Sequence, residues 1–260
     1  YIQITKPNDD LSYKNSLSTN LYLEGFNLNK IDDYLKVSLN FYQTNQENED
    51  NKKTPTVLPK LTYFSGNTSK FGRNSNYTLE FYNIFREKTT DVHSKQQQKI
   101  SHQYNIGKEV INYKSKILMD LQIYNQAFNT ENKKIAENNF KTGSYYRLFP
   151  IISMIIETPF KIKKYNPNLK FIPKIQLVAS PGISNSDKLS NEDSTNNDFD
   201  LNNIYKLNRF SGNDKMDNSK RVTYGLSTQT NYFKTSLSQT YEFTKNSNFH
   251  KEQGNEDNLS

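Results

Sequence analysis

Tyr34-Leu35-Lys36-Val37-Ser38-Leu39-Asn40-Phe41 alternates without a break. Leu35, Val37, Leu39 and Phe41 fall on one side, and Lys36, Ser38 and Asn40 on the other. A period of two is that of a β-strand with one apolar and one polar face. The pattern recurs. Tyr77, Leu79 and Phe81 oppose Thr78, Glu80 and Tyr82. Ile117, Met119, Leu121 and Ile123 oppose Lys116, Leu118, Asp120 and Gln122. Val222, Tyr224 and Leu226 oppose Thr223, Gly225 and Ser227. Further strands are predicted at Leu17–Phe26, Val57–Phe64, Lys99–Ile106, Tyr146–Thr158, Leu169–Ser180 and Tyr232–Thr244, with Tyr1–Thr5 as the end of another. That makes roughly ten to twelve strands. Pro59, Pro150 and Pro173 read as strand starts or bulges, because Pro cannot donate to a ladder.

The connections are of two kinds. Some are short, such as Asn27–Asp32 and Lys161–Asn168. Others are long and polar: Thr44–Pro55, Glu87–Gln98, the loop at about 182–220, and Lys245–Ser260. Long strands joined in this way predict an antiparallel transmembrane β-barrel, with residues 1–260 as part of one barrel domain. A soluble sandwich would show strands of about 5–6 residues and more aliphatic side chains facing inward.

Composition agrees. Of 260 residues, 33% are hydrophobic and 13% aromatic, with 18 Tyr and 16 Phe. A soluble domain carries about 45–50% apolar residues when Gly is counted. A barrel needs no central core: one face of each strand meets lipid and the other a wet lumen. Tyr22 and Phe26, Tyr63 and Phe64, and Tyr241 and Phe243 are the expected interfacial aromatics. No stretch approaches the length of a membrane-spanning helix; the most apolar run, Leu148–Phe160, is broken by Pro150 and Pro159. The chain has no Cys, which excludes disulfides and thiolate metal sites within it. It begins at Tyr1 rather than Met and reads as an excised middle section of a longer protein, one not expected to fold alone in water.

The net charge of +7 raises the question of nucleic acid. The lysines are scattered, however, without a dense basic block, and read as solvated faces. Chemistry finds no foothold. His93, His102 and His250 are the only histidines, and there is no HExxH, Gly-x-Ser-x-Gly or phosphate-binding glycine loop. The expectation is no enzyme, no cofactor and no metal. Asn191–Ser194 offers oxygen ligands of the kind Ca²⁺ takes, but reads as a solvated loop. By alternation, Lys36, Ser38, Asn40, Lys60, Lys116, Gln122, Lys170, Lys174 and Gln176 share the lumen side.

One ordered series stands out. Asn191, Glu192, Asp193 and Ser194 are followed by Asp198-Phe199-Asp200 and Asn202-Asn203-Ile204-Tyr205. Then come Arg209-Phe210-Ser211-Gly212-Asn213-Asp214 and Arg221-Val222-Thr223-Tyr224-Gly225-Leu226. In order and spacing this resembles the LPS-assembly protein family LptD, in its alphaproteobacterial form. Thr56–Tyr63, Tyr146–Pro150, Ile172–Pro181 and Ser238–Tyr241 resemble other strands of that family. Ser190, Lys215 and Ser238 stand where Pro, Arg and Gly are usual. The resemblance covers about residues 17–260 and is strongest over 169–243.

The resemblance implies an outer-membrane translocon that delivers lipopolysaccharide to the outer leaflet, partnered by the plug lipoprotein LptE and the periplasmic bridge protein LptA. It implies that the gate strands lie outside this stretch, and that the long loop folds over or into the barrel, Arg209 pairing with Asp214 or Asp200. Lys36, Lys60, Lys116, Lys170 and Lys174 would then either meet substrate phosphates or merely solvate the lumen. A passive porin and a surface-exposed β-rich binding protein are the competing readings.

Overall fold

The computed structural model describes residues 2–5, 16–29, 31–45, 49–70, 73–161, 169–183, 185–194 and 203–244. They form a single antiparallel sheet of twelve strands and no α-helix; one 3₁₀ turn spans Asn51–Lys53. The strands are β1 (Ile2–Thr5), β2 (Ser16–Phe26), β3 (Tyr34–Thr44), β4 (Thr56–Lys70), β5 (Arg73–Phe85), β6 (Gln96–Asn112), β7 (Ser115–Ala136), β8 (Asn139–Glu157), β9 (Phe160–Lys161), β10 (Lys170–Ala179), β11 (Lys220–Gln229) and β12 (Lys234–Glu242). Eleven of them pair in chain order as an up-and-down meander, and the short β9 pairs beside β8 on the edge of β10.

Every predicted strand is present, but several run longer than the apolar alternation. β7 has 22 residues and β8 has 19, against 10 for β10. Beyond Tyr124 the outward positions of β7 turn polar, as in Asn125 and Asn129, so periodicity gives no signal there although the ladder continues. Pro59 sits at a register shift between Val57 and Lys60, as expected, while Pro150 and Pro173 stay in register.

Residues directly opposite in an antiparallel pair project to the same face. One row of the register reads Leu21, Leu39 on β2 and β3; another reads Leu121, Ile152, Ala179 across β7, β8 and β10. Together with Leu23, Val37, Ile100, Ile123, Met154, Ile175, Leu177 and Leu226, these form a continuous apolar face. No second sheet or helix covers it among the described residues, and Leu23, Ile152, Leu177 and Leu237 are among its exposed members. The interfacial aromatics divide between the faces, since neighbours alternate. Tyr63 is on the apolar side, while Phe64 and Tyr22 are on the other.

The opposite face is polar. Its rows include Tyr22–Ser38–Lys60–Tyr82–Lys99–Phe128 and Lys116–Glu157–Lys174. Connections 27–33, 113–114 and 230–233 lie at one end of the sheet, and 45–55, 86–95 and 180–219 at the other. From that second end the 180–219 connection turns back over the polar face. The buried apolar residues are few. Tyr124, Phe149, Ile151, Val178 and Met216 form one cluster beneath the loop, and Val57, Tyr82 and Ile84 a second.

Candidate functional site: a long loop pinned to the polar wall

Buried polar and charged groups, more than apolar ones, fill the space between loop and sheet. Among the largest fully buried side chains are Arg209, Arg221, Lys99, Gln97, Gln126 and Gln176. Burying a charge is costly unless it is paired and hydrogen-bonded. Each of these groups meets partners at one of three places.

The first lies over β5–β8. Lys99 Nζ donates to Asp214 Oδ1 (2.7 Å) and Asp193 Oδ2 (3.0 Å), and stands 3.5 Å from Glu80 Oε2. The Asp214 carboxylate also accepts from Tyr82 Oη (2.9 and 3.0 Å) and from the backbone N–H groups of Glu192 and Asp193. Asp193 Oδ1 accepts from the backbone of Asn213 and Asp214. Burial pushes the Asp193 carboxyl up, but Lys99, Ser194 and the Asp214 backbone outweigh it, so this carboxyl lies below its ordinary range. At Asp214 burial dominates over Lys99, and its carboxyl lies above that range. Gln97 satisfies both ends of its amide on Ser190, Tyr82 and Thr130. Arg86 grips Glu192 with both terminal nitrogens and donates to Ser94 O. Arg147 donates to Gln126 Oε1, Asn213 O and Asn185 Oδ1.

The second joins the loop to β11 and β12. Arg209 Nε donates to Asp217 Oδ2 (2.5 Å), and its Nη2 reaches both Asp217 Oδ1 (3.2 Å) and Glu242 Oε1. Arg221 Nη1 shares Asp217 Oδ2 at 3.0 Å, and Ser219 Oγ holds Glu242 Oε2 at 2.7 Å. Two guanidinium groups thus interleave with two carboxylates, which cancels the charge.

The third is a tyrosine peg. Tyr205 Oη bonds Ser238 Oγ (2.9 Å), Gln176 Nε2 donates to the Tyr205 carbonyl (2.9 Å), and Lys174 Nζ lies 4.1 Å from the ring centroid. A Cβ on Gly225 would come within 2.5 Å of that hydroxyl and 2.3 Å of Ser238 Oγ. Gly225 is therefore the gap that admits the peg. Gly212 plays the same part at the first place, where a Cβ would meet the Asp193 carbonyl at 2.4 Å.

The motif series is thus a set of wall contacts. Glu192, Asp193, Arg209, Gly212, Asp214 and Gly225 all belong to the three places. Asn191 closes a local turn on Ser194, and Phe210 is buried under Lys215. Tyr224 projects to the apolar face and donates to Gln239. Two expectations change. Arg209 pairs with Asp217 and Glu242, not with Asp214, which is held by Lys99; Asp200 lies outside the described residues. The segment 191–194 is not solvated: its carboxylates face the ammonium and guanidinium of Lys99 and Arg86.

The wall lysines are also paired. Lys36 meets Glu24 (3.0 Å), Lys60 meets Glu80 (3.3 Å), Lys116 meets Glu109 (3.0 Å) and Lys174 meets Glu157 (3.0 Å). Lys170 lies opposite Gln229 on the same face. Lys99, Arg86, Asp217 and Glu242 escaped sequence reasoning, while Tyr205 and Arg221 stood in the motif series, and Arg147 in the Tyr146–Pro150 stretch, without an assigned role. For Lys99, the polar parity of Gln97, Lys99 and Ser101 within β6 is the one sequence hint.

His93 carries a pH dependence. Burial depresses its imidazole below 6.5, and Glu192, 3.5 Å from Nδ1, only partly opposes this. A depressed His contributes stability that is present above its unfolded value and lost as pH falls through its folded value. Protease protection of the loop should therefore weaken on acidification from about pH 7.5 to below 6.5, and His93→Asn should flatten that slope. An identical slope in the variant counts against this assignment.

The model of the family LptD, described as LPS transport system D, matches residues 8–260. No curated protein matches the chain.

Proposed function

We propose, since this chain belongs to the LptD family of LPS transport proteins, that its sheet is part of the wall of an outer-membrane barrel delivering lipopolysaccharide to the outer leaflet. The observation that carries this reading is the two-faced sheet. Among the described residues one face is apolar and uncovered; the other is polar and lies beneath a loop held by buried ion pairs. A barrel wall between lipid and a wet lumen has this division. The end bearing connections 45–55, 86–95 and 180–219 is then the extracellular one, as long loops are in such barrels.

In this reading the pinned loop is an internal partition over β5–β12. It leaves the polar wall of β2–β4 open to the sugar-rich head of the cargo, while the acyl chains stay in apolar surroundings. Lys36 and Lys60 line that open wall, and Lys116, Lys170 and Lys174 lie on the same polar face along β7 and β10. The four in carboxylate pairs offer phosphates a cation already held in place, without presenting a strongly positive surface that would retain the cargo. No bond is made or broken. The plug lipoprotein LptE and the bridge protein LptA are the partners this role requires.

Conditional depletion of the intact protein tests the reading. Surface lipopolysaccharide should fall as the protein is lost; normal surface delivery after depletion would sink the translocon role and leave a passive pore as the better account.

A further inference from the structure

The apolar face is not smooth. Between β6 and β12 it holds a cavity of about 650 Å³ whose floor is formed by Met119, Leu121, Ile152, Met154, Leu177 and Ala179. The hollow has a local cause. Ala179 lies between Ile152 and Lys220 in the register, so a row of long side chains is interrupted by a single methyl group. Met119 and Met154, directly opposite each other, are unbranched and adaptable. Lys108 stands at the β6 margin, and Lys220 and Phe243 at the other. Among the described residues neither Lys108 nor Lys220 lies within salt-bridge distance of a carboxylate, whereas Lys36, Lys60, Lys116 and Lys174 on the opposite face all do.

We propose that this groove is a binding site for one phosphate-bearing lipid of the surrounding membrane, an acyl chain lying over Ala179 and the phosphate at Lys220. The proposal rests on the membrane reading above, since the groove opens on the face assigned to lipid. Its length agrees. From β6 to β11 there are four interstrand steps of about 4.8 Å, or roughly 19 Å. Laid obliquely on tilted strands, that is about the depth of one leaflet of a hydrocarbon core about 30 Å thick. Lys220 opens β11 at the end where the long connections emerge, so the headgroup belongs to the outer leaflet. An anionic lipid fits better than a neutral one. An ammonium at an apolar rim, without a protein carboxylate, is best satisfied by a phosphate.

The test uses the intact protein in vesicles of phosphatidylglycerol and phosphatidylcholine, re-extracted gently and weighed with its retained lipid by native mass spectrometry. Wild type should keep one phosphatidylglycerol in preference to phosphatidylcholine. Lys220→Glu, whose side chain points away from the pinned loop, should cut that preference about tenfold. Ala179→Phe, which fills the groove, should abolish retention of either lipid. Retention equal in all three proteins overturns the groove site. Wild type that fails to insert at all overturns the membrane reading and the site together. Inserted wild type that retains no lipid overturns the site alone.

Discussion

Lys99→Met is expected to release the 180–219 loop from β5–β8. The substitution keeps most of the side-chain volume but leaves Asp214, Asp193 and Glu80 facing one another without their shared cation. Removing one partner of a buried pair costs about 3–5 kcal/mol, because the remaining charge is uncompensated. Each 1.4 kcal/mol or so is a factor of ten. Where cleavage follows the open population, protease nicking of residues 203–219 should therefore accelerate roughly 10²–10⁴-fold. The strands themselves should hold, since their ladders do not depend on Lys99. Adding Asp214→Asn should recover part of the loss, because a carboxamide oxygen in the place of Oδ2 still accepts from Tyr82 and the backbone of Glu192 while one negative charge is removed. Cleavage at the wild-type rate in Lys99→Met would show that this cluster does not hold the loop.

Arg209→Ala should have a comparable effect at the other anchor. Asp217 would keep Arg221 and Glu242 would keep Ser219, but two carboxylates would share one buried guanidinium. The expected cost is again about 3–5 kcal/mol. Arg209→Lys should restore less than half of it, since one ammonium cannot repeat the planar fork that engages Asp217 while reaching Glu242. The readouts are barrel assembly, by heat-modified migration, and lipopolysaccharide delivery to the surface. Both unchanged in Arg209→Ala would remove the loop-holding role. Combined with Lys99→Met, the loss should be less than additive, because a loop already freed at one anchor depends less on the other.

The strands were legible because membrane-facing residues alternate with lumen-facing ones, and stretches such as Leu35 to Phe41 have no other periodic reading. Legibility ended where the apolar band ended. The far halves of β7 and β8 keep their hydrogen bonds but are mostly polar on both faces, so Asn125 to Ala136 carried no strand signal. The candidate site was half visible. Its loop residues were found as a motif series, which marked Arg209 and Asp214 as important without saying to what they bind. Two of their partners were hidden by distance along the chain. Lys99 is 115 residues from Asp214, and Glu242 is 33 from Arg209. A lone Lys among three glutamines on β6 looks like any solvated residue until the loop descends on it. Arg209 and Asp214, five apart on one short segment, invited a local pairing, but Lys99 of the wall takes Asp214, and Arg209 turns to Asp217, eight residues on, and to Glu242.

The loop also acts as a gauge of strand alignment. It touches β5, β6, β7, β8, β10, β11 and β12, each through a side chain of fixed parity: Tyr82, Lys99, Gln126, Arg147, Gln176, Arg221 and Glu242. Sliding any one strand by a single residue would turn its contact toward the apolar side. Neighbouring strands alone can tolerate a slip that both share. A loop resting on seven at once cannot, so one connection checks the shear of more than half the sheet.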